Sequence, residues 1–364
     1  MRKSLACFLE SRDNNFNLVR FIAAFGVLLS HSYALSIGNN ATEPFKQLVN
    51  MSFGHIAVDI FFISSGFLIA NSLFVKKDLA NFLWARFLRI YPGLFIAVIF
   101  CVFIVGAFFT SYSLIQYLTD AQTYIFLIKN TVLFFGEEAS LPGVFESLPW
   151  SGVVNGSLWT LPFEVKAYCL LVFFSIAINR LLIWSNGALN ERLIYLLIPL
   201  LGMLIYITNH FFTFLPISYF ASEDFRLYSL FFIGTACYIF KDYLILSERI
   251  FYPILFTLLA SSINTELFFV VYNVTIFYVI FYIAYIPKGW IRGFNKYGDY
   301  SYGIYIYAWP VQQSVIAFIP GVNVLELCVY SFIGTMFISY LSWHLVEKKA
   351  LKFKGKIPFN FKKS

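Results

Sequence analysis

Long apolar runs recur along the chain from residue 17 to residue 345, and short segments that carry most of the charge separate them. A helix needs about 20 apolar residues to cross a bilayer, and windows of that length predict about ten spans. The predicted spans lie near 17–37, 54–75, 90–110, 159–179, 193–209, 225–241, 249–263, 266–286, 301–319 and 325–345. Because no polar linker interrupts the series, the pattern predicts one all-α transmembrane domain over residues 1–364, with no appended soluble domain.

Two connections are expected to be more than loops. Residues 79–91 combine basic and apolar positions at helical spacing, which predicts an amphipathic helix on the cytoplasmic face that turns into the third span at Pro92 and Gly93. Residues 111–158 are too many for an ordinary connection. Their apolar run at 125–135 is too short to span and contains Lys129, so we predict an interfacial or re-entrant segment there.

Composition strengthens the membrane interpretation. Hydrophobic residues make up 60% of the chain and charged residues only 12%, whereas a soluble domain carries about 25% charged residues. The five cysteines and four histidines do not have the spacing of metal ligands, so we expect no metal cofactor.

The distribution of lysine and arginine predicts how the spans are oriented. Cytoplasmic connections carry an excess of these residues. With the N-terminus in the cytoplasm, nearly all basic residues of the connections fall inside, the tail from Lys348 onward included, and Lys46, Lys129 and Arg226 fall outside. An even number of spans then places both termini in the cytoplasm. This asymmetry accounts for the net charge of +7, so no nucleic-acid partner is required.

Arg20 and His31 are the ionisable residues of the first span. Charged and titratable groups are costly inside a membrane and are functional candidates by default. Eleven residues of helix give roughly 16 Å of rise and about 20° beyond three full turns. The two side chains therefore share one helix face at two depths.

Two carboxylates are expected near the depth of His31. Asp59 lies in the outer half of the second span and Glu164 in the outer half of the fourth. A carboxylate that orients an imidazole makes a better general base, so we predict a catalytic group of His31, Asp59 and Glu164. The alternative is that the carboxylates are structural partners of Arg20 or Lys166.

The inner half of the predicted bundle is basic. Arg86 and Arg89 are three residues apart and share a helix face, and Arg20 points to the same side. Guanidinium groups suit phosphates, so these arginines predict a site for an anionic ligand from the cytoplasm. The alternatives are that Arg20 extends to the interface and that Arg86 and Arg89 only anchor the positive inner face.

Five ordered motifs resemble those of the integral-membrane acyltransferase-3 family, and together they cover essentially the whole chain. They are the Arg20/His31 spacing, Phe-Phe-Ile-Ser-Ser-Gly at 61–66, Arg86-x-x-Arg89, the segment 156–164 and the segment 298–305. That family transfers acyl groups, usually acetyl from acetyl-CoA, to hydroxyls of cell-surface glycans. The resemblance implies that His31 is catalytic and that Arg20, Arg86 and Arg89 face the donor.

Ser65, in the motif at 61–66, is assigned to the donor site with these arginines, and close helix packing is the alternative for this small-residue segment. The chain departs from the family at two places. Many members have a histidine in the ninth span, where this chain reads Ile-Tyr-Ala-Trp-Pro at 306–310, and the usual Glu-x-Pro near the C-terminus is Glu-Lys-Lys at 347–349.

The sequence therefore predicts a multi-pass O-acyltransferase of a bacterial inner membrane. The resemblance implies acetyl-CoA as donor and a glycan as acceptor, either lipopolysaccharide O-antigen or an exopolysaccharide or capsule intermediate. His31 can act as a general base or carry the acyl group itself. The rival hypothesis is a secondary transporter or glycan flippase, although the two halves show no convincing repeat of the kind common in transporters.

Overall fold

The computed structural model describes residues 3–11, 13–76, 78–186, 189–212 and 219–356, with the backbone alone at 76, 212 and 219–222. Of the basic residues used to predict the orientation, Arg2, Arg12, Lys77 and those after residue 356 lie outside the described residues.

Helices make up most of the described chain. The α-helices are α1 Ala6–Leu9, α2 Phe16–Ile37, α3 Pro44–Val49, α4 Phe53–Lys76, α5 Leu79–Ile99, α6 Ala107–Phe109, α7 Leu114–Thr119, α8 Ala121–Val132, α9 Leu161–Trp184, α10 Glu191–Phe212, α11 Tyr219–Ile239, α12 Glu248–Ser261, α13 Thr265–Tyr285, α14 Ser301–Phe318, α15 Val324–Ser342 and α16 Lys348–Leu351. Phe100–Gly106 and Trp343–Glu347 form π-helical turns, and Gly156–Thr160 and Trp290–Lys296 form 3₁₀ turns. Strands β1 Lys3–Ser4 and β2 Ile245–Leu246 pair antiparallel, with Lys3 opposite Leu246.

The all-α polytopic class is confirmed. Seven helices of the described chain are long and apolar enough to cross a membrane. They are Phe16–Ile37, Phe53–Val75, Leu79–Phe109, Gly156–Trp184, Glu191–Phe211, Thr265–Tyr285 and Val324–Leu351. Each of the other three predicted spans also coincides with a helix, namely α11, α12 and α14.

These three helices are shorter or more polar than the other seven. Helix α11 carries Glu223, Asp224 and Arg226, and α12 has 14 residues. Helix α14 is buried continuously from Ser301 to Gln313. A helix that other helices surround need not be apolar enough to face lipid, so the burial of α14 explains its polar content.

The predicted surface helix at 79–91 is wrong as a separate element. Helix α5 runs without a break from Leu79 through Pro92 to Ile99 and forms one membrane-length segment with the turns up to Phe109. A proline removes one backbone hydrogen bond and can kink a helix without ending it. The side chain of Asp78 caps the start of α5 by accepting a hydrogen bond from the Asn81 backbone N–H at 3.0 Å.

Small residues bring α4 and α11 close together at the centre of the molecule. A Cβ on Gly66 would collide with the carbonyl oxygen of Phe231, and one on Gly234 would collide with that of Ile63. Glycine at both positions therefore permits close backbone contact, which is the usual way helices pack tightly in a bilayer. Helix α2 packs beside this pair and also contacts α14.

The two ends of α2 can be identified by their neighbours. Asn15, just before α2, donates a backbone hydrogen bond to the Ala284 carbonyl (2.7 Å) near the end of α13. Near the other end, Gln312 of α14 donates to the Leu28 carbonyl at 2.8 Å. We call these the Arg20 end and the His31 end of the molecule.

Candidate active site

Helix α2 presents His31 to a cavity of about 230 Å³, which we call the His31 cavity. Its walls include Trp150, Trp159, Tyr305 and Trp309. The His31 ring meets Trp309 edge-on, with 4.7 Å between ring centroids, and its buried Nδ1 has no hydrogen-bond partner among the described residues. An imidazole held by ring packing with a free nitrogen can accept a proton from a bound hydroxyl.

Trp309 is itself held in place by α14 and by the segment before α9. Its indole N–H donates to the Val153 carbonyl at 3.1 Å. Gly156 lies under the ring, because a Cβ there would approach the indole carbons to 2.8–2.9 Å. The motif at 156–164 therefore needs glycine at its first position to leave space for the tryptophan that packs on His31.

Arg20 borders a second, narrower cavity of about 30 Å³, the Arg20 cavity. Its guanidinium lies over the Phe61 ring, 5.4 Å from the centroid. Within the described residues Arg20 makes no ion pair, and its buried Nε has no hydrogen-bond partner. A half-buried guanidinium without an ion-pair partner keeps N–H donors available for a ligand, so Arg20 is suited to binding an anion.

Arg86 and Arg89 differ although they share a helix face. Arg89 is engaged by carboxylates, with 2.5 Å from its Nη2 to Asp299 Oδ2 and 3.7 Å from its Nη1 to Glu347 Oε2. Arg86 lies over the Phe82 ring and has an unpartnered Nε in the described structure. Arg86 is therefore the more available of the two for a ligand.

Asp299 shows how firmly Arg89 is held. Burial alone would raise the pKa of this carboxyl, but the nearby charges of Arg89 and Arg20 and hydrogen bonds from Ser301 keep the pKa below its usual value. The Ser301 hydroxyl donates to Asp299 Oδ1 at 2.5 Å. A carboxylate stabilised in this way stays charged and keeps Arg89 paired.

The two cavities meet at Val58 and Tyr305, which line both of them. Tyr305 shares a hydrogen bond of 2.6 Å with the Thr160 hydroxyl and packs edge-on against Phe61. The side chains of Val58 and Tyr305 thus lie at the boundary between the Arg20 cavity and the His31 cavity.

Asp59 was predicted to group with His31, but in the described structure its contacts are with other residues. Val58 lines the His31 cavity, but the next residue, Asp59, is turned by about 100° around the helix. Its buried carboxylate is ion-paired with Arg226 of α11 and accepts a hydrogen bond from the Tyr272 hydroxyl at 3.0 Å. Its imidazole neighbour is His55, at 3.7 Å from Nε2 to Oδ2.

Glu164 also lies elsewhere than expected. It lines the Arg20 cavity and accepts a hydrogen bond from the Tyr168 hydroxyl, and it is absent from the described lining of the His31 cavity. The 3₁₀ turn Gly156–Thr160 that precedes α9 rises about 2.0 Å per residue instead of 1.5 Å. This longer rise shifts Glu164 along the helix axis relative to a regular α-helix, and in the described structure Glu164 lies on the Arg20 side of the boundary between the two cavities.

Ser65 lines the Arg20 cavity with Thr160 and Ser301. The next residue, Gly66, packs against α11 instead. The motif at 61–66 therefore supplies both a cavity wall and a helix contact.

Arg226 and Glu223 are the charged residues that the sequence analysis missed. Arg226 was assigned to an outer connection, but it lies on α11, is 1% exposed, and bonds Glu223 with 3.0 Å from its Nε to Oε2. The i,i+3 spacing of this pair, together with the need of Asp59 for a counter-charge, could have indicated it. Both residues line the His31 cavity.

Comparison with known proteins gives a consistent result. A family model described as an acyltransferase domain matches residues 13–344. The chain is 30% identical over 351 residues to an O-acetyl transferase of Shigella phage Sf6, with 93% of this chain and 96% of the relative covered. It is 29% identical over 362 residues to Nodulation protein 10 of Rhizobium leguminosarum bv. viciae, with 93% of each chain covered. No solved structure matches the chain.

Proposed function

The chain belongs to the acyltransferase-3 family, and on that premise we propose that it is an O-acetyltransferase that moves acetyl from acetyl-CoA to a glycan hydroxyl. The donor phosphates bind at Arg20 and Arg86. The acyl arm follows α2 from the Arg20 cavity to the His31 cavity, and the acceptor approaches His31 from the opposite end.

One observation supports this proposal. Helix α2 carries Arg20 at one cavity and His31 at another, and Val58 and Tyr305 line both cavities. An acyl-CoA has an anionic head and a long thin arm with the thioester at its far end. A basic site and an imidazole roughly 16 Å apart by helix rise fit that shape. Because the Arg20 cavity is narrow, we expect the arm to displace Tyr305 or Phe61 as it binds.

The proposed reaction uses His31 as general base. The imidazole accepts the proton of the sugar hydroxyl as its oxygen attacks the thioester carbonyl, and the protonated imidazole then returns that proton to the departing thiolate of coenzyme A. A carbon–oxygen ester bond forms and the carbon–sulfur bond breaks. Trp309 limits the orientation of the ring, while Glu164 stays on the donor side of the path.

We further propose that the Arg20 end faces the cytoplasm of a bacterium and that the protein resides in the inner membrane. The charge distribution of the connections supports this orientation. Fusions of a reporter enzyme after Arg292 and within residues 137–146 test it: we expect cytoplasmic activity for the first fusion and external exposure for the second. The reverse result would contradict the orientation.

The acceptor is proposed to be a cell-surface or lipid-linked glycan, such as O-antigen, exopolysaccharide or a capsule intermediate. Mass spectrometry of surface glycans from cells with and without the protein would identify the acceptor, because each acetyl ester adds about 42 mass units.

The central experiment compares His31→Ala with His344→Ala in purified protein supplied with radiolabelled acetyl-CoA and the surface glycan. His344 packs on Tyr340 and Tyr300, away from both cavities, and is a matched control. We expect His31→Ala to fold and bind donor but to lose transfer by about 10²–10⁴-fold, the usual value of general base catalysis. His344→Ala should remain active.

Full transfer by His31→Ala would refute this mechanism and favour a transporter function. An acetyl-histidine in the wild-type protein during turnover would replace direct attack by a covalent route.

A further inference from the structure

Two additional cavities lie at the His31 end in the described structure. The larger, about 530 Å³, is walled by residues such as Phe109, Phe145 and Pro320, and we call it the Phe145 cavity. The smaller, about 280 Å³, lies between the segment after α2, the end of α10 and the start of α13, and we call it the Glu266 cavity. Ligand sites are commonly sought by size, which would favour the larger one.

The smaller cavity is favoured instead as the ligand site, because it adjoins the His31 cavity. The Glu266 cavity and the His31 cavity share Asn40, Ser52, His55 and Glu223, whereas the Phe145 cavity shares no described lining residue with the His31 cavity. A ligand in the Glu266 cavity can therefore extend to His31 without moving a helix.

A packed wall separates the Phe145 cavity from His31. This wall is formed by Trp309, which packs with Leu148 and Trp150. Gln313 stabilises this wall, because its side-chain amide donates hydrogen bonds to the Trp150 carbonyl at 2.8 Å and to the Val153 carbonyl at 3.0 Å. A molecule in the Phe145 cavity would have to break these contacts before it reached the imidazole.

The lining of the Glu266 cavity suits a sugar. Lys46 donates to Asn40 Oδ1 at 2.8 Å on one wall, and on another the His210 Nε2 lies 2.7 Å from Glu266 Oε2. These donors and acceptors can bind the hydroxyl groups of a pyranose. Tyr206 and Phe269 add apolar ring edges to the lining, and the His210 imidazole stacks on the face of Phe269 with 3.9 Å between ring centroids. Apolar walls with a few fixed polar groups are typical of ligand sites.

The charges on this lining do not favour an anion. The described lining carries one lysine, Lys46, and two carboxylates, Glu223 and Glu266. Arg226 pairs with Glu223 but also with Asp59, so it adds no excess of positive charge. Because an anionic sugar would meet like charge here, the lining favours an uncharged glycosyl residue.

We propose that the Glu266 cavity binds the uncharged glycosyl residue adjacent to the acceptor hydroxyl and directs that hydroxyl to His31 past His55. The proposal rests on the proposed O-acetyltransferase function, and it assigns the acceptor to this cavity rather than to the larger Phe145 cavity.

The test places one thiol in each cavity. Thr265→Cys lies in the Glu266 cavity, and Ser147→Cys in the Phe145 cavity is its matched control. Both are made in a protein whose exposed cysteines are removed by Cys7→Ser and Cys169→Ser. A membrane-impermeant methanethiosulfonate labels the new thiol, and dithiothreitol removes the label.

We expect the label on Thr265→Cys to abolish acetyl transfer to polysaccharide released from the cells that produce the protein, and to leave acetyl-CoA binding unchanged. Removal of the label by dithiothreitol should restore transfer. The label on Ser147→Cys should leave transfer unchanged. The same polysaccharide fraction should slow labelling of Thr265→Cys severalfold and have no effect on Ser147→Cys.

Two results would overturn the assignment. One is acetyl transfer that continues after Thr265→Cys is labelled, and the other is a labelling rate of Thr265→Cys that the polysaccharide does not lower. Loss of transfer on labelling Ser147→Cys alone would move the acceptor to the Phe145 cavity. If the unlabelled protein transfers no acetyl group to any glycan, the proposed function fails instead, and protection of Thr265→Cys still tests the saccharide site.

Discussion

Arg20 and Arg226 are both arginines within the helical bundle, but their surroundings are opposite. Arg226 is fully buried between Asp59 and Glu223 and forms an ion pair with each. Arg20 has an aromatic ring beside it, a cavity in front of it and no ion-pair partner among the described residues. Arg226 is thus paired within the fold, whereas the ligand role of Arg20 is our proposal for its unpaired guanidinium.

The comparison separates structural charges from functional ones in a membrane. Burying a charge is costly unless it is paired and hydrogen-bonded, so a completed network such as Asp59–Arg226–Glu223 stabilises the arrangement of α4, α11 and α13. Arg20 lacks such a network in the described structure, and its proposed donor role predicts that a ligand supplies the missing partner. Intramembrane position alone therefore does not distinguish the two arginines, whereas their pairing does.

The largest expected effect is on the stability of the Arg226 network. Arg226→Ala leaves Asp59 and Glu223 buried without a counter-charge, and breaking a buried pair in this way costs about 3–5 kcal/mol. We expect a large drop in melting temperature in detergent, measured by intrinsic fluorescence. Arg180→Ala removes an exposed arginine and should have little effect. A melting temperature equal to wild type in Arg226→Ala would remove the basis of the comparison.

Arg20→Ala should affect donor binding rather than stability. The protein should keep its melting temperature and bind acetyl-CoA more weakly by about 1.5–3 kcal/mol, the value of a hydrogen bond to a charged group. Arg20→Lys should recover part of the affinity, because a point charge replaces a planar fork. Calorimetry with a non-hydrolysable acetyl-CoA analogue measures this, and unchanged affinity in Arg20→Ala would assign Arg20 a structural role.

Arg86 and Arg89 repeat the comparison within one helix. Arg89→Ala should lower stability by about 1–3 kcal/mol, because Asp299 and Glu347 lose a buried partner, and should change donor affinity less. Arg86→Ala should weaken donor binding and preserve the melting temperature. The two variants are measured by the same calorimetry and melting experiments. Equal effects on donor affinity would show that pairing with carboxylates does not exclude Arg89 from the donor site.

The smallest expected effect is at the Trp309 contact. Trp309→Phe keeps a ring against His31 and loses the hydrogen bond to the Val153 carbonyl, worth about 0.5–1.5 kcal/mol. If the tryptophan positions His31, kcat should fall by about 2- to 12-fold while the KM for acetyl-CoA stays constant. Trp184→Phe, at an exposed position, is the control. A change in the donor KM instead would indicate that Trp309 contacts the acyl arm.

The sequence by itself determined the membrane class, the positions of the helices and the common face of Arg20 and His31. These properties depend on local rules, because hydropathy over about 20 residues and a rotation of 100° per residue need no partner helix. The roles of His31, Arg20, Arg86 and Ser65 in the reaction remain predictions.

Only the tertiary structure decided which charges pair and which line a cavity. Asp59, Glu164 and Arg89 have the residue types of an active site, yet Asp59 belongs to the Arg226 network, Glu164 lines the Arg20 cavity, and Arg89 is held by Asp299 and Glu347. The rotation of each helix about its axis selects these partners. That rotation is set by contacts between distant segments, such as Gly66 against Phe231, which a local pattern of residues does not encode.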